Sequence, residues 1–106
     1  KFLNRRIKFK EEYSFAGLAS ENGRPLRFDF VIFDDDGKID FIIEYQGRQH
    51  YEPSAKFGGK RGFYQQQHND NKKRRFCMLQ GFKMIEIPYT EENLITYDYI
   101  MKKAGY

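Results

Sequence analysis

Apolar and polar residues alternate from the start of the chain. Over residues 4–15, Ile7, Phe9, Tyr13 and Phe15 share one parity and charged side chains mostly take the other, the period of a half-buried strand. Gly17, Asn22-Gly23 and Pro25 then mark a loop over residues 16–25. Residues 26–33 (LRFDFVIF) have strand composition, and residues 39–45 (IDFIIEY) form the matching return strand. Between them lies Asp34-Asp35-Asp36-Gly37-Lys38, where Asp36-Gly37 suits a tight type I′ hairpin. Residues 46–62 are glycine-rich and irregular. A helix is predicted over residues 63–80, stopped by Gly81, with Phe76 and Cys77 packing it on the sheet. Residues 82–88 alternate again as a strand. Thr90 is placed to N-cap a last helix, with Glu91 and Glu92 at its positive end and Leu94, Ile95, Ile100 and Met101 as its apolar stripe. The predicted order is β-β-β-α-β-α: an α/β fold with a three-strand antiparallel meander, a parallel strand added through a right-handed crossover, and flanking helices.

Composition narrows the class. The 106 residues suit a single domain, and no apolar run approaches the roughly 20 residues of a membrane span. One cysteine, Cys77, excludes an internal disulfide framework and fits a reducing, cytoplasmic compartment. The chain opens on Lys rather than Met, and we read it as one domain of a longer protein. The net charge is only +4, but its distribution is uneven: −1 over residues 1–55, +7 over residues 56–83 and −2 over residues 84–106. The central block holds Lys56, Lys60, Arg61, Lys72, Lys73, Arg74, Arg75 and Lys83 against Asp70 alone, interleaved with Phe57, Phe63, Tyr64 and Phe76. Such a block is a footprint for a nucleic-acid backbone, or a solubilising helix face.

The hairpin carries the candidate chemistry. A turn centred on Asp36-Gly37 sets Phe33 opposite Asp40, Val31 opposite Ile42, Asp29 opposite Glu44 and Arg27 opposite Gln46. Phe28, Phe30, Ile32, Ile39, Phe41, Ile43 and Tyr45 then share the other, core-facing side. Two carboxylates facing each other across a sheet repel. A divalent cation such as Mg²⁺ or Mn²⁺ relieves the repulsion; so does a neighbouring cation, Arg27 or Lys38, or a shifted register. The chain leaves this acidic end as Gln46-Gly47-Arg48-Gln49-His50-Tyr51, so His50 can reach the same pocket and move a proton near neutral pH. Gln67, Asp70 and Lys73 lie three apart on one helical face. Asp70 there is either part of the site or the partner of an ordinary intrahelical salt bridge.

In order, Arg27-Phe28-Asp29-Phe30, Ile42-Ile43-Glu44-Tyr45-Gln46-Gly47, Gln49-His50-Tyr51, Gln67-x-x-Asp70-x-x-Lys73 and Gly81-Phe82-Lys83 with Ile85-x-Ile87-Pro88 make a series. Over roughly residues 5–90 it resembles the PD-(D/E)XK nuclease superfamily. Within it, the series is most similar to the branch of very-short-patch mismatch-repair endonucleases and phage-type EDxHD homing endonucleases of mobile introns. The resemblance implies a restriction-endonuclease-like fold and a Mg²⁺-dependent (or Mn²⁺-dependent) DNA endonuclease of a bacterial or phage-infected cell. It implies that Asp29 binds metal, with Glu44 at the second acidic position and the Tyr45 carbonyl as a further ligand. His50 and Asp70 match the last two residues of the EDxHD pattern. Gln46, Arg48, Lys60, Arg61, Gln67, Lys72, Lys73, Arg74 and Arg75 are the implied DNA contacts.

Two departures stand out. Gln46 occupies the position of the superfamily's catalytic lysine, and the family's first Glu would lie upstream of residue 1, where Lys1-Phe2-Leu3 is the most that could remain of its helix. A catalytically inactive DNA-binding module is the competing reading. A mismatch-repair or restriction-type nuclease is another, in which Tyr51, Phe57 or Phe63 would wedge into the base stack. One Cys and two His cannot build that repair branch's four-ligand zinc site. The implied partner is double-stranded DNA, with a homodimer for double-strand cleavage and a further DNA-binding region outside these residues.

Overall fold

The β2–β3 hairpin organises the chain. In the computed structural model, which describes residues 8–53 and 55–106, β2 (Pro25–Phe33) and β3 (Ile39–Gln46) pair antiparallel with Val31 opposite Ile42, Phe30 opposite Ile43 and Ile32 opposite Phe41. The turn differs from the type I′ expectation. Gly37 N–H donates to the Asp34 carbonyl at 3.0 Å, and Asp34 Oδ1 accepts from the backbone N–H groups of Asp36 and Lys38, both at 2.9 Å. Only Gly37 in this turn has positive φ, at +81°. A side-chain-capped turn followed by one left-handed glycine therefore replaces two left-handed residues. The additional residue shifts the register, so Phe33 faces Ile39 rather than Asp40.

β1 (Lys8–Ala19) pairs antiparallel with β2, and β4 (Met84–Pro88) pairs parallel with β3, giving a mixed sheet of order β1-β2-β3-β4. Of the first expected strand, residues 4–7 lie outside the described residues, as does Lys1-Phe2-Leu3; so do the side chains of Gln49 and Phe57. The crossover from β3 to β4 runs through α1 (Gly59–Gln80), four residues longer at its start than the pattern predicts. Gly81 ends it in the left-handed conformation at φ +76°, with Phe82 N–H donating to the Cys77 carbonyl at 2.8 Å. The last helix, α2 (Tyr97–Lys103), begins later than expected. Thr96, not Thr90, is its cap, accepting from Tyr99 N–H at 3.1 Å. Residues Tyr89–Leu94 instead form a 3-10 turn, and Leu94 is exposed.

Both faces of the sheet are covered. Ile32, Phe41, Ile43, Ile85 and Ile87 pack with Ile100 and Ala104 on the α2 side. Leu18, Leu26, Phe28, Val31 and Ile42 pack with Cys77 and Phe76 on the α1 side. Phe28 is thus on the same side as Val31, against the simple alternation that grouped it with Phe30 and Ile32. The slip falls at Asp29. Its neighbour across β1 is the break between the pairs Glu11–Phe30 and Tyr13–Phe28, where Glu12 has φ +50°. For the same reason Phe9 joins the α2-side core while Tyr13 and Phe15 join the α1-side core. Among the described residues no helix is long and apolar enough to cross a membrane.

Cys77 is buried, and burial pushes its thiol up to about 11. Since the thiolate is the reactive form, we expect Cys77 to resist a thiol-titrating reagent at pH 8 in the native protein and to react in full after denaturation. Rapid native labelling would contradict this packing.

Candidate functional site

At its open end the β2–β3 ladder is completed by carboxylates instead of peptide groups. Asp29 N–H donates to Glu44 Oε2 at 2.8 Å, and Tyr45 N–H donates to Asp29 Oδ2 at 2.7 Å. Each acid of the facing pair thus bonds a main-chain N–H of the opposite strand. Asp29 and Glu44 meet through these side-chain bonds just past the Phe30–Ile43 pair; neither the expected Asp29–Glu44 pair nor the Arg27–Gln46 pair is among the main-chain pairs of this ladder.

The sequence reading had offered Arg27 or Lys38 to neutralise the acidic pair; the cation is Lys73 from α1. Its Nζ lies 2.6 Å from Glu44 Oε1, and the two side chains are only 12% and 4% exposed. The ammonium also sits 5.3 Å from the centre of the Phe28 ring, within cation–π range. Burial raises the Glu44 carboxyl above its usual value, and Lys73 opposes that shift without cancelling it. Both Glu44 oxygens are therefore engaged, while Asp29 Oδ1 carries none of the hydrogen bonds of this network. Among the described residues no three His, Cys, Asp or Glu side chains converge as a ready-made metal cage.

One turn earlier on α1, Asp70 reaches the segment that follows β3. Its Oδ2 lies 2.8 Å from His50 Nδ1, with side-chain exposures of 5% and 12%. His50 is held there by a 3-10 turn, Arg48–His50, whose last N–H donates to the Gly47 carbonyl at 3.0 Å. Ionised Asp70 can only accept, so Nδ1 carries the hydrogen and Nε2 is left with a lone pair in the neutral ring. Asp70 Oδ1 accepts from Gln66 Nε2 at 3.2 Å. The glutamine that reaches Asp70 is therefore Gln66, four residues before it, and not Gln67, which is exposed, because 3.6 residues per turn favours the i, i+4 partner.

A third polar contact joins α1 to the sheet. Arg74 grips Glu86 of β4 with Nε at 2.8 Å and a second guanidinium nitrogen at 2.7 Å, and Gln46 Nε2 donates to Glu86 Oε1 at 2.9 Å. Gln46 is 2% exposed, and its Oε1 has no hydrogen-bond partner. Burial raises the Tyr51 hydroxyl, and the charges of Glu86, Arg74 and Asp70 act on it as well, so the Arg74–Glu86 and His50–Asp70 contacts share one neighbourhood. It lies at the carboxyl ends of the parallel strands β3 and β4, the usual crevice for ligands in such sheets. Glu86 was missed by the sequence reading. Its signal was an acid alternating with Ile85 and Ile87 in the strand expected over residues 82–88.

Several expected DNA contacts are used within the fold. Gln46 is buried, Lys73 pairs with Glu44, Arg74 pairs with Glu86, and Lys72 Nζ donates to the Ala19 carbonyl at 2.6 Å. Lys60, Arg61 and Arg75 stay exposed on α1. Arg48 is also exposed and lies 5.6 Å from the centre of the Tyr89 ring, which packs against Tyr51 at 5.7 Å.

Comparison with known proteins places these residues among viral relatives. The chain is 46% identical over 90 residues to uncharacterized protein 094L of Frog virus 3 (isolate Goorha), a match covering 82% of this chain and 56% of that protein. It is 39% identical over 71 residues to uncharacterized protein 307L of Invertebrate iridescent virus 6, covering 65% and 36%. A shorter match, 43% over 49 residues, links it to uncharacterized protein 033L of Invertebrate iridescent virus 3. The chain spans just over half of the first of these relatives and about a third of the second. No protein-family model matches it, and no solved structure matches it.

The Lys73–Glu44 pair should behave as a buried ion pair. Removing one partner strands the other, so Lys73→Met should cost about 3–5 kcal/mol, and the double variant Lys73→Met/Glu44→Leu should cost less than Lys73→Met alone. Glu44 in Lys73→Met keeps a raised carboxyl value, with the hydrogen bond from Asp29 N–H left to oppose burial. Protonation favours that fold, so the variant should be most stable in acid and lose stability as pH rises through Glu44's raised value. Denaturant melts across pH check both; additive single costs would refute the pairing.

Proposed function

We propose that this chain is the catalytic domain of a divalent-metal-dependent DNA endonuclease, with a restriction-endonuclease-like fold and the homing type as its model. One observation carries the reading. A single face of α1 holds the His50–Asp70 pair and the Lys73–Glu44–Asp29 cluster one helical turn apart, with Asp70 and Lys73 at the i, i+3 spacing that sets Cβ atoms about 5–6 Å apart.

The donor set fits a Mg²⁺ or Mn²⁺ ion held mainly by substrate. Such ions bind through one or two protein carboxylates and complete their shell with phosphate oxygens and water. Asp29 Oδ1 and the Tyr45 main-chain carbonyl would hold the ion, which would stabilise the charge developing on the phosphate and on the leaving oxygen. Glu44 serves here by holding Lys73 and the Asp29 N–H, rather than as a direct ligand.

His50 supplies the base. Asp70 fixes its orientation and supports the imidazolium that forms. Nε2 takes a proton from the attacking water, whose oxygen bonds to phosphorus as the bond to the 3′ oxygen breaks. The electron pair stays with the 3′ oxygen, which takes a proton from solvent, and His50 returns its own proton to solvent. The products are a 5′-phosphate and a 3′-hydroxyl. Arg48, Lys60, Arg61 and Arg75 meet the flanking backbone of double-stranded DNA. A double-strand break requires two copies of the domain or two successive nicks, and a long target requires a further DNA-binding region.

Full-length protein should convert supercoiled plasmid to nicked or linear DNA with Mg²⁺ and not with EDTA. Asp29→Ala should abolish cleavage, and His50→Ala should slow it by about 10²–10⁴-fold. Cleavage retained by Asp29→Ala would sink the assignment. DNA binding without any metal-dependent cleavage would favour the competing reading, a binding module, which the full engagement of both Glu44 oxygens supports. In either case Arg75→Ala should reduce the salt slope of DNA affinity by about 1, as read by titration at several salt concentrations.

A further inference from the structure

The outer face of α1 carries a hollow that the catalytic reading leaves unused. On a helix, a residue two positions before another is turned about 200° from it. His68 stands two before Asp70, Lys72 two before Arg74 and Arg75 two before Cys77, and those three later residues all meet the sheet side. His68, Lys72 and Arg75 are thus turned away from the catalytic cluster. With Asn71 they line a hollow of about 340 Å³. Among the described residues no acid lines it.

The lining presents donors. Asn71 Oδ1 accepts from an Arg74 guanidinium N–H at 2.9 Å. Arginine only donates, so the amide oxygen must face Arg74 and the NH₂ is the end left over. Lys72 keeps two ammonium hydrogens beyond the one it gives the Ala19 carbonyl at 2.6 Å. Arg75 spends none of its donors on the described residues. A carboxylate stands at the rim: Glu21, in the turn between β1 and β2, brings Oε2 to 3.7 Å from His68 Nε2, with the two side chains 65% and 48% exposed. A pair so open to water is worth little, so an anion with more acceptor oxygens displaces it at small cost.

The line of cations indicates which anion. Arg61, His68 and Arg75 are seven residues apart and nearly aligned, over about 21 Å of helix. A single phosphate group would fill the hollow and leave Arg61 unused, whereas the backbone of duplex DNA offers charge continuously over that length. We propose that the outer face of α1 binds the backbone of double-stranded DNA at phosphates other than the scissile one, with Glu21 as the carboxylate that they displace. The site shares the DNA partner of the nuclease reading and needs none of its catalysis, because the helix separates it from His50, Asp70 and Asp29.

The test titrates full-length protein with a short duplex at several salt concentrations, in EDTA so that cleavage plays no part. Glu21→Gln removes the rival carboxylate. Asp98→Asn makes the same change of charge at an exposed position of α2, on the other side of the sheet. Asn71→Asp keeps the acceptor for Arg74 and places a negative charge in the hollow. Asn71→Asp should weaken binding on the order of fivefold and lower the salt slope by about 1, and Glu21→Gln should tighten binding about threefold. Asp98→Asn should stay within about twofold of wild type, since an exposed charge farther away than a Debye length is screened. All three should melt cooperatively; if Asn71→Asp does not fold, Glu21→Gln decides alone. Either variant matching Asp98→Asn overturns the inference, and so does a protein that binds phosphatidylserine vesicles and not duplex. Wild type that binds duplex with these responses and never cleaves it with Mg²⁺ overturns the nuclease reading and leaves this site standing. Wild-type cleavage with affinities that the variants do not move does the reverse.

Discussion

The buried pair of Lys73 and Glu44 sets the terms for the rest of the molecule. A lysine and a glutamate this far from water are costly to bury separately, and their contact is efficient only if helix and sheet meet in one orientation. That orientation brings Asp70 over His50 and Arg74 over Glu86. The apolar contacts of Phe76 and Cys77 with Phe28 and Ile42 bring α1 to the sheet, but they tolerate small rotations that the polar contacts do not. Apolar burial supplies the adhesion, and the polar contacts fix the angle.

Much of this was legible in the order of residues. Strand alternation and the Asp-rich turn gave the meander, and the long polar-apolar run ending at Gly81 gave α1. The nearness of Asp29 and Glu44 followed from the Val31–Ile42 register, which the bulge at the turn left intact as far as the Phe30–Ile43 pair; beyond it their side chains, not a main-chain pair, join the strands. Local competitors decided the errors. Asp34 accepts two backbone N–H groups and so selects a different turn from the one Asp36-Gly37 suggests. Thr96 caps α2 because residues Tyr89–Leu94 wind into a 3-10 turn first. Phe28 changed side because the pleat slips at Asp29, opposite the left-handed Glu12, and no period-two reading contains that slip. The partner of Glu44 lay 29 residues away on another element, where local pattern has no reach.

The basic block shows how charge and availability differ. Four consecutive cations, Lys72 to Arg75, look like a uniform surface in the sequence. On a helix they point around the whole circumference, and three of them meet a carbonyl or a carboxylate of the protein itself. What remains outward is a thinner set, Lys60, Arg61 and Arg75 on α1 with Arg48 beside the site. Such a set grips a backbone and reads little sequence.

The polar contacts of α1 also bear on how chain length can vary. Each residue added to a helix rotates everything beyond it by about 100°. One residue inserted between Asp70 and Lys73 would turn the ammonium away from Glu44 while leaving Asp70 on His50, and no rotation of the helix as a whole would restore both. Length differences compatible with this arrangement therefore belong in the connections, such as residues 20–24, where an extra residue changes a loop and leaves the facing of α1 on the sheet intact.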